Sequence, residues 1–244
     1  MQTLFKSDDN GQNLVREAIF YAINRSEIIS SIYQGMATVA YTPVPGGTWL
    51  SNESTIHDIY DPLMAASLLD SAGYKLADDG KRYKDRKAFP TLYILTYDEP
   101  GSTVRTNAAN KIKEQLAAVG IPAIVSTKDR AYVLMKLKSA DYTLVLAAFN
   151  FDVNPDPGFT VASTGACNYT RYRSDDMNSL LTQLRSSYTA DSYKYVMQLI
   201  QDQFEQDKPY LPLYWRAGAL LSREAFTDAR DIRELELLRG VESF

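Results

Sequence analysis

Two carboxylates stand out for what surrounds them. The stretch DYTLVLAAFNFDVNPDPGF at 141–159 holds an apolar run, 142–149, broken only by Thr143, and it ends at Asn150. Asp152 follows two residues later and Asp156 sits between Pro155 and Pro157. A run of that length without alternation predicts a strand buried on both faces of a parallel sheet. The carboxyl ends of such strands are where open α/β sheets hold ligands. A carboxylate two residues past a buried strand must be paired or hydrated. The chemistry on offer at Asp152 is therefore electrostatic, the capture of a cationic group, with turn formation as the competing reading. At Asp156 turn chemistry is favoured, because Asp before Pro caps turns. Phe149, Asn150 and Phe151 flank the same point and complete the candidate ligand-binding group there.

Other chemistry is sought and not found. His57 is the single histidine and Cys167 the single cysteine, which excludes an internal disulfide, a thiolate metal cluster and any mechanism needing two histidines. There is no GxSxG elbow and no GxxxxGK[ST] loop, and the turn 98–102 (DEPGS) is acidic where a phosphate would sit. An enzyme is therefore not expected, and neither is a cofactor. The net charge of -4 argues against nucleic acid. No apolar run approaches the ~18 residues of a membrane span, and residues 1–20 carry no signal-peptide pattern. His57 reads as a surface residue, and Asp175 and Asp176 as first-turn helix acids.

These residues need a frame. NLVREAIFYAIN at 13–24 has helical spacing at Val15, Ile19, Ala22 and Ile23, and a second helix follows with Ser26 as its cap and Gly35 as its stop. Residues 36–60 lack a period and contain Pro43, Pro45, Gly46 and Gly47, which predicts a long ordered loop carrying Trp49. Asp61-Pro62 opens a helix to about residue 72, with Met64, Leu68 and Ala72 on its inner face and Gly73 ending it. Asp79-Gly80 predicts a hairpin turn. From Thr91 the pattern changes to strand 91–97, helix 103–119, strand 121–127, helix 131–138 and strand 142–149. In the first of these helices Ala108, Ile112, Leu116 and Val119 face inward. That alternation is a βαβαβ unit with right-handed crossovers. Ser174 caps a helix marked by Met177, Leu180, Leu181, Leu184 and Tyr188, and Tyr193, Val196, Ile200 and Phe204 mark another. Pro209 and Pro212 confine 209–215 to an edge or strand start. A short strand is expected at 217–222, and 223–244 is charged and without pattern.

The order of these segments resembles the C-terminal lobe of the extracellular solute-binding proteins of peptide ABC transporters, the oligopeptide- and dipeptide-binding family. NLVREAIFYAINRSEII resembles the family's helix pair, and YDPLMAASLLDSAGY its "YDPEKAK-LL-EAGY" segment. The helix ending LAAVGI resembles "QL-KIGI", and DYTLVLAAFNFDVNPDP resembles "-YD--L-GW-ADY-DPD". NYTRYRSDDMNSLL and DKPYLPLYW resemble "N---Y-NPE-D-LL" and "-APYIPLYY". The likeness runs from about residue 13 to about 222. Phe149-Asn150 stands where the family usually has Gly-Trp.

The resemblance implies a type II periplasmic-binding-protein-like α/β lobe, with a parallel-sheet βαβαβ core and surrounding helices. It would be one lobe over 1–244: a helical part at about 13–75, an α/β core at about 88–222 and a return segment at 223–244. The N-terminal lobe would lie outside this chain. The implied partners are a peptide ligand, that second lobe and a membrane permease; the implied location is extracytoplasmic, periplasmic or as a cell-surface lipoprotein, with signal and anchor not in this chain. Asp152 matches the family aspartate that pairs with the peptide's α-ammonium. Arg105, a turn into the helix after the 97–105 loop, is the cationic candidate for the other end of the ligand. Trp49, Phe149 and Phe151 could instead stack on an oligosaccharide; a metal chelate is the further alternative.

Overall fold

The computed structural model describes residues 10–97, 99–150 and 156–217. In chain order the elements are α1 (Asn10–Ala22), α2 (Arg25–Ile32), β1 (Ala37–Val39), α3 (Pro62–Ser71), β2 (Lys75–Leu76), β3 (Arg82–Lys84), β4 (Lys87–Ala88), β5 (Leu92–Tyr97), α4 (Val104–Ala118), β6 (Ala123–Lys128), α5 (Arg130–Ser139), β7 (Leu144–Val145), α6 (Gly158–Val161), α7 (Asp175–Arg185), α8 (Ala190–Asp207) and β8 (Tyr214–Arg216). The expected strand at 217–222 and segment 223–244 lie outside the described residues beyond Ala217.

The centre is a parallel sheet of order β6–β5–β7. Leu92 to Tyr97 pairs in register with Ala123 to Lys128, and Ile94 and Leu95 pair with Leu144 and Val145. Helix α4 covers one face, burying Ala108, Ile112 and Leu116 with Leu92 and Ile94, as their spacing predicts. Helix α5 covers the other, where Val133 and Leu137 pack on Leu95. Helices α1, α2 and α3 extend the first core through Val15, Ile19, Ile28, Ala65 and Leu69.

The strand expected over 142–149 is corrected to two ladder residues. Strand β7 lies at the sheet edge and pairs only with β5, and the ladder stops at Val145 although β5 continues to Tyr97. The apolar run has another cause. Leu144 and Leu146 pack into the α4-side core, while Val145 and Ala147 pack into the α5-side cluster. Both faces are covered although the ladder is short. Side-chain contacts, not ladder length, select the apolar residues.

Local signals place most helix starts. Asp61 accepts from the backbone N–H groups of Leu63 and Met64, and Pro62 takes the first helical position. Ser174 accepts from Met177 N, and Asp175 and Asp176 occupy the first turn of α7. The cap of α2 is Asn24 rather than Ser26, with Asn24 Oδ1 accepting from Glu27 N at 2.8 Å. The buried face of α3 is Ala65, Leu69 and Ala72; Ala72 is there as expected, Leu68 is only partly buried against the core and Met64 is exposed. Tyr188 lies past the end of α7 and is exposed. The Asp79-Gly80 turn joins β2 to β3, and β4 adds a third antiparallel strand.

Helices α7 and α8 form a second core with Val161, Met177, Leu181, Met197, Ile200 and Phe204. The loop between β1 and α3 docks on it through Val44 and Leu50. Buried Gln201 replaces the missing loop periodicity. Its amide donates to Leu50 O at 2.8 Å and accepts from Asn52 N at 3.1 Å and Thr42 Oγ1 at 3.2 Å. Strand β8 starts after Pro212, as an edge position requires, and pairs antiparallel with β1.

Candidate functional site

Strands β5 and β7 run parallel side by side, so the segments that follow them leave from one edge of the sheet. After β5 the chain makes the turn Glu99–Ser102, closed by Ser102 N donating to Glu99 O at 3.0 Å, and enters α4. After β7, Leu146 stays bound to β5: its N–H donates to Leu95 O at 2.8 Å, and its carbonyl accepts from Thr96 Oγ1 at 3.2 Å. Residues 147–150 then leave the sheet.

Phe149 ends that exit in an aromatic cluster. Its ring lies 5.8 Å from Tyr210, 6.1 Å from Phe159 and 6.3 Å from Tyr169. It is half-buried, while Asn150 is exposed. The cluster fixes the point from which the loop departs. Burial pushes the Tyr210 hydroxyl well above the ordinary tyrosine range, so it remains a neutral group, 3.2 Å from Thr160 Oγ1. Tyr142, pushed up to about 12 by burial, donates to Tyr169 O at 2.8 Å and braces the same wall. Phe151 and Asp152 lie outside the described residues.

Asp156 does local work. Its Oδ1 accepts from Gly158 N at 2.7 Å, and its Oδ2 from Arg185 Nε at 2.9 Å. The pair closes over Gly158. A Cβ there would meet Arg185 Nη2 and would lie 2.8 Å from Asp156 Oδ1, so a larger residue would push these two side chains aside. Trp49, 57 % exposed, stacks on Tyr193 of α8 with centroids 6.3 Å apart. Burial, and secondarily the nearby charge of Asp156, raise the Tyr193 hydroxyl pKa. Trp49, Tyr193 and Asp156 therefore share one side of the molecule.

Arg105 is not a free cation. It is buried, its guanidinium stacks 4.3 Å over the Tyr97 ring, and Nη2 donates to Glu99. Arg216 of β8 reaches the same carboxylate, 3.2 Å from Oε1 and 3.4 Å from Oε2. Burial works against the charge of Glu99. The hydrogen bond and charge of Arg105, and then those of Arg216, outweigh it and hold the carboxyl below the ordinary glutamate value. Tyr33 and Tyr214 stand beside this group with their hydroxyls 2.7 Å apart, both raised first by burial.

Sequence reasoning missed Glu99, Arg216, Arg185 and Tyr193 as members of these groups. Arg105 and Glu99 are six residues apart and could be paired on paper. Arg216 and Arg185 come from distant segments and carry no local signal. His57 is on the surface as expected, with Nε2 2.9 Å from Glu205 Oε1. Among the described residues no cluster of His, Cys, Asp or Glu could hold a metal, and no helix is long and apolar enough to cross a membrane. The arrangement offers ion pairing, aromatic stacking and backbone polar groups at a sheet edge, which is the equipment of a binding surface.

Comparison with known proteins agrees with this geometry. The dipeptide-binding protein of Escherichia coli is 25 % identical over 201 residues, covering 78 % of this chain and 35 % of that protein. The oligopeptide-binding protein AppA of Bacillus subtilis, solved with a nonapeptide, superposes with TM-score 0.74 at 24 % identity, over 85 % of this chain and 42 % of AppA. A mannohexaose-bound periplasmic oligopeptide-binding protein of Thermotoga maritima superposes with TM-score 0.71 at 23 % identity, over 84 % of this chain and 41 % of that one. The fold is thus that of the type II periplasmic binding proteins. The chain spans roughly two-fifths or less of the length of these relatives. The pattern of the bacterial extracellular solute-binding proteins, family 5 middle region, matches residues 8–171. The chain belongs to the family 5 bacterial extracellular solute-binding proteins.

Proposed function

We propose that this lobe captures extended peptides for import by an ABC transporter, closing on the ligand together with a second lobe and handing it to a membrane permease outside the cytoplasm. The observation that carries the reading is the exit from β7. Phe149 is held by three rings, and Asn150 stands exposed at the carboxyl edge of the sheet, two residues before Asp152, the carboxylate we assign to the ligand amine. The relatives are a dipeptide-binding protein and a protein solved with a nonapeptide, which supports the same ligand class. An extended peptide held mainly through its backbone suits sequence-tolerant capture.

In a closed cleft the Asp152–ammonium pair is desolvated, and removing one partner leaves an unpaired charge at a cost of about 3–5 kcal/mol. At ~1.4 kcal/mol per decade, Asp152→Ala in the full-length protein weakens peptide binding on the order of a hundredfold or more. N-acetylation of the peptide has a similar effect, and the two losses do not add, because they delete one interaction. Calorimetric titration of both proteins with both peptides checks this; additive losses would refute the pairing. A second reading, an oligosaccharide ligand, is favoured by the exposed Trp49 stacked on Tyr193 and by the relative solved with mannohexaose. Under that reading mannohexaose binds, and Trp49→Ala abolishes binding while Asp152→Ala leaves it intact.

A further inference from the structure

The Arg105–Glu99–Arg216 group has a shape that ion-pair bookkeeping alone does not explain. Two guanidiniums from separate elements, the first turn of α4 and strand β8, converge on one carboxylate. Arg105 is 95 % buried, and among the described residues its Nε makes no hydrogen bond. Arg216 is 55 % exposed at its side chain, and among the described residues its hydrogen bonds, both to Glu99, come from Nη1. Helix α4 begins directly behind the turn; its cap residue Thr103 accepts from no first-turn backbone N–H, and among the described residues only Val104 N has a side-chain acceptor there, Ser102 Oγ at 3.4 Å. Taken without Glu99, these parts make an anion receptor: two forked cations, one desolvated, beside a helix N-terminus. The receptor lies on the edge from which the β7 exit also leaves. Its anion comes from the protein itself, delivered by the turn that Ser102 N closes on Glu99 O.

We infer that Glu99 is a built-in carboxylate that occupies the anion receptor of Arg105 and Arg216, so that the lobe takes ligands without selecting for a free carboxylate. The ligand class rests on the peptide reading above; the occupancy of the receptor does not. A peptide acid arriving there meets guanidiniums already paired and a negative charge in place. It gains little over the corresponding amide, and peptides whose carboxyl end is blocked or lies elsewhere are accepted equally. Glu99 is in this sense a specificity-determining residue, acting by filling a site rather than by touching the ligand.

The test is a pair of probes on the full-length protein, N-acetylglycine and N-acetylglycine amide, titrated by nuclear magnetic resonance. The unaltered protein binds the two within about threefold of each other. Glu99→Gln opens the receptor and makes the acid bind at least tenfold tighter than the amide. Adding Arg216→Gln removes that preference. Arg216→Gln alone leaves the ratio near one, and because Arg216 is largely exposed this variant keeps the protein folded even where Glu99→Gln does not. A tenfold acid preference in the unaltered protein overturns the inference, as does an unchanged ratio in folded Glu99→Gln. A parallel titration with tripeptide acids and amides separates the two readings. If no peptide binds the unaltered protein while the probe ratios behave as stated, the peptide reading falls and the filled receptor stands.

Discussion

At the scale of single residues, the acidic side chains of one loop system divide their labour. Asp156 serves structure: it ties Gly158 N and Arg185 together at the start of α6. Its ion pair with the largely exposed Arg185 contributes little, while its backbone contact acts as a cap. Asp156→Ala therefore lowers the stability of the chain by about 1 kcal/mol and Arg185→Ala by less, about 0.5 kcal/mol or under, read from urea midpoints at constant slope. Ligand affinity changes only severalfold for Asp156→Ala, in contrast to Asp152→Ala. A hundredfold loss of affinity on altering Asp156 would move the ligand contact from Asp152 to Asp156.

At the scale of elements, the loop carrying Trp49 is a large segment with no periodicity of its own. It is ordered from outside, by Gln201 on α8, whose amide satisfies Leu50 O, Asn52 N and Thr42. Asn52 adds a second tie to α8 through Asp202. Replacing Gln201 by Leu keeps the volume but takes the amide from Leu50 O and Asn52 N, while Thr42 Oγ1 keeps Val44. The expected cost is about 1–3 kcal/mol per strongly desolvated group, concentrated in this loop. Hydrogen exchange reads it directly: Asn52 N–H loses protection in Gln201→Leu while the amides of β5 and β6 keep theirs. Uniform loss of protection would show that the loop is not an independently held unit.

At the scale of the whole molecule, the chain holds two helical cores and a short parallel sheet, and the β7 exit and the turn carrying Glu99 leave from one edge of that sheet. A ligand on an edge is covered from one side. If a second lobe supplies the other side, hinge closure provides about half the contacts. The 244-residue chain alone then binds a peptide at least a hundredfold more weakly than the full-length protein, in side-by-side calorimetry. Equal affinity of the two would place the whole site on this chain.

The sequence by itself determined the periodic parts. The α4 face of Ala108, Ile112 and Leu116, the caps Asp61 and Ser174, and the parallel βαβ order could all be read locally, because each depends on residues within a few turns of one another. It also determined where to look, since the apolar run before Asn150 and the prolines after it mark the sheet's carboxyl edge. The length of β7 could not be read. The run is apolar because it threads between two clusters, while its ladder stops at Val145 although β5 continues to Tyr97. The α2 cap moved from Ser26 to Asn24 because both residue types cap well, and where the preceding helix ends selects between them. The fate of Arg105 was half legible: Glu99, six residues away, could be paired with it on paper, whereas Arg216 could not. In the sequence it is a free cation near an acidic loop. In the fold, Tyr97 stacks on it, Glu99 neutralises it and Arg216 arrives from more than a hundred residues away to share the same carboxylate. Charge pairing between distant segments leaves no periodic trace, and only the packed chain brings those groups within reach.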